Sequence, residues 1–380
     1  MINKKEKIAI VGASIAGSAA AIMFTRAGYE VTVFEQYAKL AMKDRGAGLV
    51  LPQALINQYI AEGIFPSDFL SLPITQRDFI VYDPNSKQER LLTSHPINIS
   101  AVHWGQLYTE LPKHLANINT QYETRINTLT QKEIKNFDIV IFADGYDSLG
   151  RQLLFPDLKP KYTNYIAWRG TFDSNSSENT QCFLEKVLYY PYKKGHTLFY
   201  PIPKINTNDS FLVNWLIYEK IDENCDNIPP THMSPERIQH LHTLAKEYLP
   251  PLPRDIILKT PMPFIQSIYD CLIPHYFAGN IGLIGDASIL LRPHAGSGAV
   301  KSLSDALRLK EYLTSNTDIF TALTQWGIAC QQAAQPLFQL GVSLGELLVT
   351  NMPDWNQISK ATMDDLLEKS HQSGWWVKPS

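Results

Sequence analysis

Residues Ile8–Glu35 read IAIVGASIAGSAAAIMFTRAGYEVTVFE, and this stretch decides the fold. Ile8–Val11 is a short, apolar, β-branched run of the kind that forms a parallel strand buried on both faces. Gly12, Ser14 and Gly17 then fall at the three spaced positions of a dinucleotide-binding turn, with Ile15 and Ala16 between them. Small residues there allow a tight turn, close approach of a pyrophosphate to backbone N–H groups, and close helix–strand contact. The following helix points its positive end at the phosphates. Glu35 ends the second strand, where a carboxylate can accept hydrogen bonds from both hydroxyls of a ribose. Ser at the middle position is a mild departure that keeps the side chain small.

The chain has 380 residues and a net charge of −3, with 18 Tyr and 7 Trp. That length holds one large α/β domain or two closely packed ones. The balanced charge, without a long basic stretch, argues against nucleic acid as a partner. The early lysines run straight into a strand, so no secretory signal is expected and the cytoplasm is the expected compartment. No uncharged apolar run reaches the ~18 residues that span a bilayer. Cys182, Cys225, Cys271 and Cys330 are far apart and form no CxxC pair. Their spacing predicts buried free thiols, and with the scattered histidines it predicts no metal site.

Further along, Arg45–Gly48 is a Gly-rich loop, followed by a helical pattern through 52–63. Residues 75–102 are β-rich, and a helix runs from about Trp104 to His114. The FDIVIFA run at 137–143 is another buried strand, ending in Asp144-Gly145. Between about 160 and 270, runs rich in Tyr, Trp, Val and Thr alternate with polar breaks. This pattern predicts a mostly antiparallel sheet with one helix at about Pro235–Tyr248. The parallel-strand signature returns at 280–284 and helices follow. The expected fold is α/β: a Rossmann-like unit with an inserted, mostly antiparallel sheet and C-terminal helices. The expected division is 1–72, 103–160 and 273–380 for the nucleotide-binding part and its C-terminal helices. Segments 73–102 and 161–272 make the inserted substrate sheet.

Two more segments carry chemistry. ADGYDSLGR at 143–151 sits at the carboxyl end of a buried strand, the edge where open α/β sheets bind ligands, and Ser148 is placed to cap a helix carrying Arg151. GLIGDASILLRPHAGSGAVKSLSD at 282–305 ends a strand at Gly285-Asp286, then leads through Pro293, Gly296, Ser297 and Gly298 into a long helix. Glycines at that helix start expose N–H groups. Asp286 either accepts hydrogen bonds from a polyol or caps a helix.

Together GASIAG with Glu35, ADGxxSxxR and GDA…PxxGxG resemble the group A FAD-dependent monooxygenases, which share the para-hydroxybenzoate hydroxylase fold. The resemblance covers essentially the whole chain. It implies non-covalent FAD, with the first motif on the ADP half, Glu35 on the adenosine ribose, Asp286 on the ribityl chain and Pro293–Gly298 beside the isoalloxazine. It links Asp144-Gly145 to FAD and NAD(P)H, and sets Arg45-Gly46-Ala47-Gly48 beside the flavin. YIAWRG at 165–170, GHTLFYPIP at 195–203, VNWLIY at 213–218, RPHAGSG at 292–298 and His103-Trp104 look like the 2,6-dihydroxypyridine 3-monooxygenase branch. Trp104 stands where most relatives carry an FAD-contacting Arg. Ser288, Ile289 and Val300 also depart from the usual Ala, His and Asn.

The implied chemistry is reduction of FAD by NADH or NADPH as a transient co-substrate, reaction with O₂ to a C4a-hydroperoxide, and hydroxylation of a small electron-rich aromatic or N-heteroaromatic ring. The protein is expected to act as a monomer or homodimer. Alternatives are a same-fold oxygenase or reductase on a larger polyketide or polyene, and a flavin-binding protein without turnover. Candidate pocket residues are Tyr200, Trp215, Pro293 and His294. His294 either faces the ring as a proton acceptor, with an imidazole pKa already near working pH, or steadies the turn through a backbone hydrogen bond. Tyr200 and Trp215 either roof the pocket or are core. His196 is expected at an exposed hairpin end.

Overall fold

The computed structural model describes residues 6–38, 47–205, 210–223 and 226–371. Its architecture is α/β, built on two sheets. The six-stranded sheet has the order Phe277–Ala278, Ile281–Leu283, Ile139–Phe142, Lys7–Val11, Glu30–Phe34, Asn119–Gln121. All its pairings are parallel except the first. Ile8, Ile10, Ile139, Ile141 and Phe142 are fully or almost fully buried, as expected of strands covered on both faces. Helix Ile15–Arg26 packs against helix Ser297–Ser315, which in turn packs on the 27-residue helix Ile319–Gly345. The Gly12–Gly17 turn and the Gly285–Gly298 segment are therefore neighbours.

The nine-stranded sheet is antiparallel apart from the pairing of Leu72–Asp83 with Glu185–Tyr192. Its order is Ile289–Leu290, Phe264–Leu272, Lys161–Asp173, Phe211–Lys220, Gly195–Pro203, Glu185–Tyr192, Leu72–Asp83, Gln88–His103, Gly48–Leu51. Side-chain alternation gives it two faces. Tyr165, Ala167, Leu198, Tyr200, Leu216 and Tyr218 lie on the inner face, in one core with Leu340 and Leu344 of the C-terminal helix. Ile166, Trp168, Phe199, Trp215 and Ile217 lie on the outer face, against Leu241, Ala245, Ile256 and Ile257.

Those last residues belong to two helices, Pro235–Tyr248 and Pro251–Leu258, where one was expected. The second opens on PLP, but prolines in a first turn lack only N–H groups that have no intrahelical acceptor. Cys271 and Cys330 are buried, whereas Cys182 is exposed, contrary to expectation, on a short 3₁₀ turn. Cys225 lies outside the described residues. Among the described residues no helix is long and apolar enough to cross a membrane.

Candidate functional site

The first turn is built so that only glycine fits. Gly12 has φ +104°, and a Cβ there would stand 2.4 Å from the Ala143 carbonyl oxygen. At Gly17 a Cβ would stand 1.9 Å from the Gly12 oxygen. The helix start and the carboxyl end of the 139–142 strand are thus in contact. Glu35, buried at the end of the second strand, fastens the turn from behind. Its two carboxylate oxygens accept the Ala13 N–H (2.8 Å) and the Tyr37 N–H (2.9 Å).

In the second segment Asp144 accepts the Leu149 N–H at 2.7 Å. Its other oxygen, Oδ1, is buried without a hydrogen-bond partner, and burial pushes the carboxyl up from its ordinary range. Ser148 caps the helix Leu149–Leu154 by accepting the Arg151 N–H (3.0 Å). Arg151 itself is 2% exposed. Its guanidinium donates to the carbonyls of Asp286 (3.1 Å), Ala287 (3.2 Å) and Tyr146, binding the second segment to the third.

In the third segment Gly285 and Gly296 have positive φ, and a Cβ on Gly296 would stand 2.6 Å from Val50. Gly298 faces open space. Asp286 lies inside the short 3₁₀ turn Gly285–Ala287, whose N-cap position is held by Ile284. Its carboxyl is reachable by solvent yet set deep among protein atoms, which pushes its pKa up against the pull of Lys301 and Arg151.

Gly48 donates its N–H to Asn214 Oδ1 (2.7 Å) and accepts from Arg169 Nη2 (3.3 Å). A Cβ there would stand 2.7 Å from the Tyr200 hydroxyl. Arg45 and Gly46 lie outside the described residues.

Two cavities run between these segments. One, of about 400 Å³, is lined by Gly12, Glu35, Tyr37 and Asp144. The other, of about 380 Å³, lies between Pro293–Gly298 and the inner face of the large sheet. Ser14, Trp104, Ala143 and Gly145 line both, so the two form one elongated groove. Gly48, Asp286, Tyr200, Pro293 and His294 all reach the inner cavity.

Trp215 does not. It is fully buried on the outer face, donating to Thr260 Oγ1 at 2.8 Å. Leu216 and Tyr218 face the cavity instead, as strand alternation requires once Tyr200 pairs with Asn214. Trp104 stacks on Tyr108 between the two cavities. Arg77 and Arg169 also line the inner cavity and were missed; a lone cation in an aromatic-rich strand was the available signal.

His294 is buried, and its Nε2 is 2.9 Å from the Tyr165 hydroxyl. It therefore bonds to a side chain, not to the turn's backbone, and its Nδ1 has no partner. Burial, then His196 and Arg292 nearby, hold its pKa well below 6.5. The expectation of an unperturbed imidazole is overturned. His196 is also corrected: it is fully buried, stacked on Tyr218 at 4.7 Å, with Nδ1 3.3 Å from the Leu348 carbonyl.

Comparison with known proteins agrees with this geometry. Residues 162–228 match the family described as FAD binding domain-like. The chain is 26% identical over 349 residues to 2,6-dihydroxypyridine 3-monooxygenase of Paenarthrobacter nicotinovorans, covering 84% of this chain and 86% of that protein. It is 24% identical to 6-hydroxynicotinate 3-monooxygenase of Bordetella bronchiseptica, covering 80% and 82%. The solved 2,6-dihydroxypyridine-3-hydroxylase from Arthrobacter nicotinovorans has the same fold, with a TM-score of 0.81, 23% identity, and coverage of 93% and 96%. The resemblance to FAD-dependent aromatic monooxygenases, and to the dihydroxypyridine branch among them, is borne out.

Proposed function

We propose that this chain is an FAD-dependent monooxygenase that hydroxylates a small electron-rich aromatic or N-heteroaromatic compound, using O₂ and NADH or NADPH. The observation that carries this is the single groove leading from Glu35, past the glycine turn, to the cavity beneath the large sheet. FAD suits it on three counts. Gly298 leaves open space at a helix start beside the inner cavity, Asp144 Oδ1 is a buried acceptor without a partner, and Asp286 offers a carboxylate to a polyol midway along.

Glu35 would hold the adenosine ribose, the N-terminus of Ile15–Arg26 the pyrophosphate, Asp286 the ribityl chain, and Gly48 with Pro293–Gly298 the ring. Gly145 lies where the two cavities meet, and Asp144 lines the outer one. Bound FAD would supply the activation of O₂ by electrons from the nicotinamide nucleotide. The protein's own part is to orient the reactants and keep water out. Ile97, Ile99, Val187, Leu198 and Leu216 give the sheet side of the inner cavity apolar surface around Arg77 and Arg169.

The inner cavity, at about 380 Å³, must house the ring end of the cofactor as well as the substrate. That volume favours one small ring over a polyketide or polyene. The pyridine-hydroxylating relatives support the same substrate class. His294, held neutral at the cavity wall, acts as a hydrogen-bond partner to a ring oxygen more readily than as a proton acceptor. The enzyme works in the cytoplasm, where nicotinamide nucleotide is supplied, as a monomer or homodimer.

The test is NAD(P)H oxidation by FAD-loaded protein across hydroxypyridines and phenols, with products read by mass for one added oxygen. Stimulated oxidation with such a product is the expected result. FAD binding without stimulation by any small ring points to the larger-substrate or non-catalytic alternatives, and protein that takes up no flavin refutes the reading. Acid precipitation should release all the yellow colour, since no residue is marked for covalent attachment.

A further inference from the structure

Helix Ser297–Ser315 carries a cation in its interior that the function above does not use. Lys301 is 3% exposed. Its ammonium pairs with Asp305 Oδ2 at 2.6 Å, donates to Ser288 Oγ at 2.9 Å, and lies 4.4 Å from the centre of the Tyr276 ring. Ser288 in turn donates to the Gly285 carbonyl at 2.7 Å. A chain of polar contacts therefore runs from the helix through one hydroxyl to the glycine that opens the Gly285–Ser288 turn. Asp286 sits inside that turn.

Ser288 departs from the Ala usual at this position, and its hydroxyl has two bonds, both within this chain. Burying an ammonium is costly unless it is paired and hydrogen-bonded, so a lysine here needs a compensating structure, and Asp305 with Ser288 supplies it. Arg308 also pairs with Asp305, at 3.0 Å, leaving the local charge positive behind the turn. From the other side Arg151 grips the Asp286 and Ala287 carbonyls. Two cations thus bond to the turn that carries Asp286, one from each packed element.

We propose that Lys301 is a positioning residue for the cofactor: through Ser288 it fixes the Gly285–Ser288 turn to the helix, and its charge holds Asp286 as a carboxylate aimed at the ribityl hydroxyls. This rests on the reading of the groove as an FAD site. The charged groups that act on Asp286 are Lys301 and Arg151; Lys301 faces the charged Asp305, to which Arg308 also pairs, and the neutral Tyr276 and Cys330. Removing Lys301 removes one of the two cations that favour the ionised carboxyl. Asp286 then takes up a proton at higher pH than in the wild type.

The experiment is FAD titration of apo-protein, read by flavin fluorescence, at several pH values for wild type, K301M, K301R, S288A, D286N and K301M/D286N. K301M is expected to weaken FAD binding roughly tenfold and to move the acid loss of binding to higher pH, whereas K301R keeps the charge and loses less. In the D286N background, adding K301M should cost clearly less than it does in the wild type, because the carboxylate its charge acts on is gone while the Ser288 link to the turn remains to be lost. Equal losses in both backgrounds, with no movement of the pH midpoint, would reduce Lys301 to a packing residue and overturn the proposal. If K301M does not fold, S288A decides: it keeps the Asp305 pair, and undiminished FAD binding refutes the link through the hydroxyl. Wild-type protein that binds no FAD overturns the groove reading itself, whereas wild-type binding unchanged in K301M overturns only the role of Lys301.

Discussion

Replacing His196 by Gln should remove a measurable part of the protein's acid sensitivity. His196 Nδ1 faces the Leu348 carbonyl, which can only accept, so the ring's one proton sits there. Nε2 is buried without a partner, and Tyr218 and Tyr189 cover the ring. A second proton would have no acceptor, and burial lowers the pKa to about 3 from 6.5. An unfolded chain protonates this imidazole near 6.5, while the folded chain refuses it until far lower pH. Acid therefore favours unfolding, and stability falls as the pH drops below about 6.5.

Integrated from about pH 7.5 to about pH 5, the loss from this one group is about 2 kcal/mol. Gln cannot titrate, so its packing cost is the same at both pH values, and the difference between them isolates the imidazole. The assay is urea unfolding of apo-protein at each pH. The variant should lose about 2 kcal/mol less than the wild type between them. An identical pH dependence would show that His196 is hydrated or paired in solution, and the argument from its burial would fall.

Four further outcomes follow from the site. Glu35→Ala should weaken FAD binding by about one to two decades, the worth of a charge-assisted hydrogen bond, and should also lower the apo-protein melting temperature because the Ala13 and Tyr37 N–H groups lose their acceptor; an unchanged dissociation constant would remove Glu35 from the site. His294→Gln should retain FAD and NAD(P)H oxidation but release more hydrogen peroxide per nucleotide oxidised, and peroxide yields equal to the wild type would end its role at the ring. Gly12→Ala should fail to fold or fall by roughly 2 kcal/mol or more, since it meets both a positive φ and a carbonyl at 2.4 Å. Gly298→Ala, with open space around it, should melt like the wild type while binding FAD more weakly; unaltered affinity would move the ring elsewhere.

The features legible in the sequence were those whose cause is local. Gly12 and Gly17 announce themselves because the turn tolerates nothing larger, and Ser148 because a cap acts three residues away. Facing was illegible wherever a strand is covered on both sides. Every residue of Gly195–Pro203 is buried, as are all of 213–219, so no apolar–polar alternation told Trp215 from Leu216 or exposed His196 as interior. His196 is covered by Leu348, which is 152 residues distant. Arg151 finds its acceptors 135 and 136 residues away. Partners so remote leave no periodic trace near the residue they satisfy.

The large sheet ends on both sides in short strands, Gly48–Leu51 at one edge and Ile289–Leu290 at the other, each continuous with a segment that lines the inner cavity. This ties modularity to hydrogen bonding. A fragment cut to the inserted sheet alone would lose both border strands and present two open ladders to other molecules, a state prone to edge-to-edge association. Grafting the sheet from a relative to change substrate preference faces the same constraint. The graft must bring a matching Gly48 strand and a matching 289–290 strand, so the sheet can be exchanged only together with segments that the chain writes in separate passages.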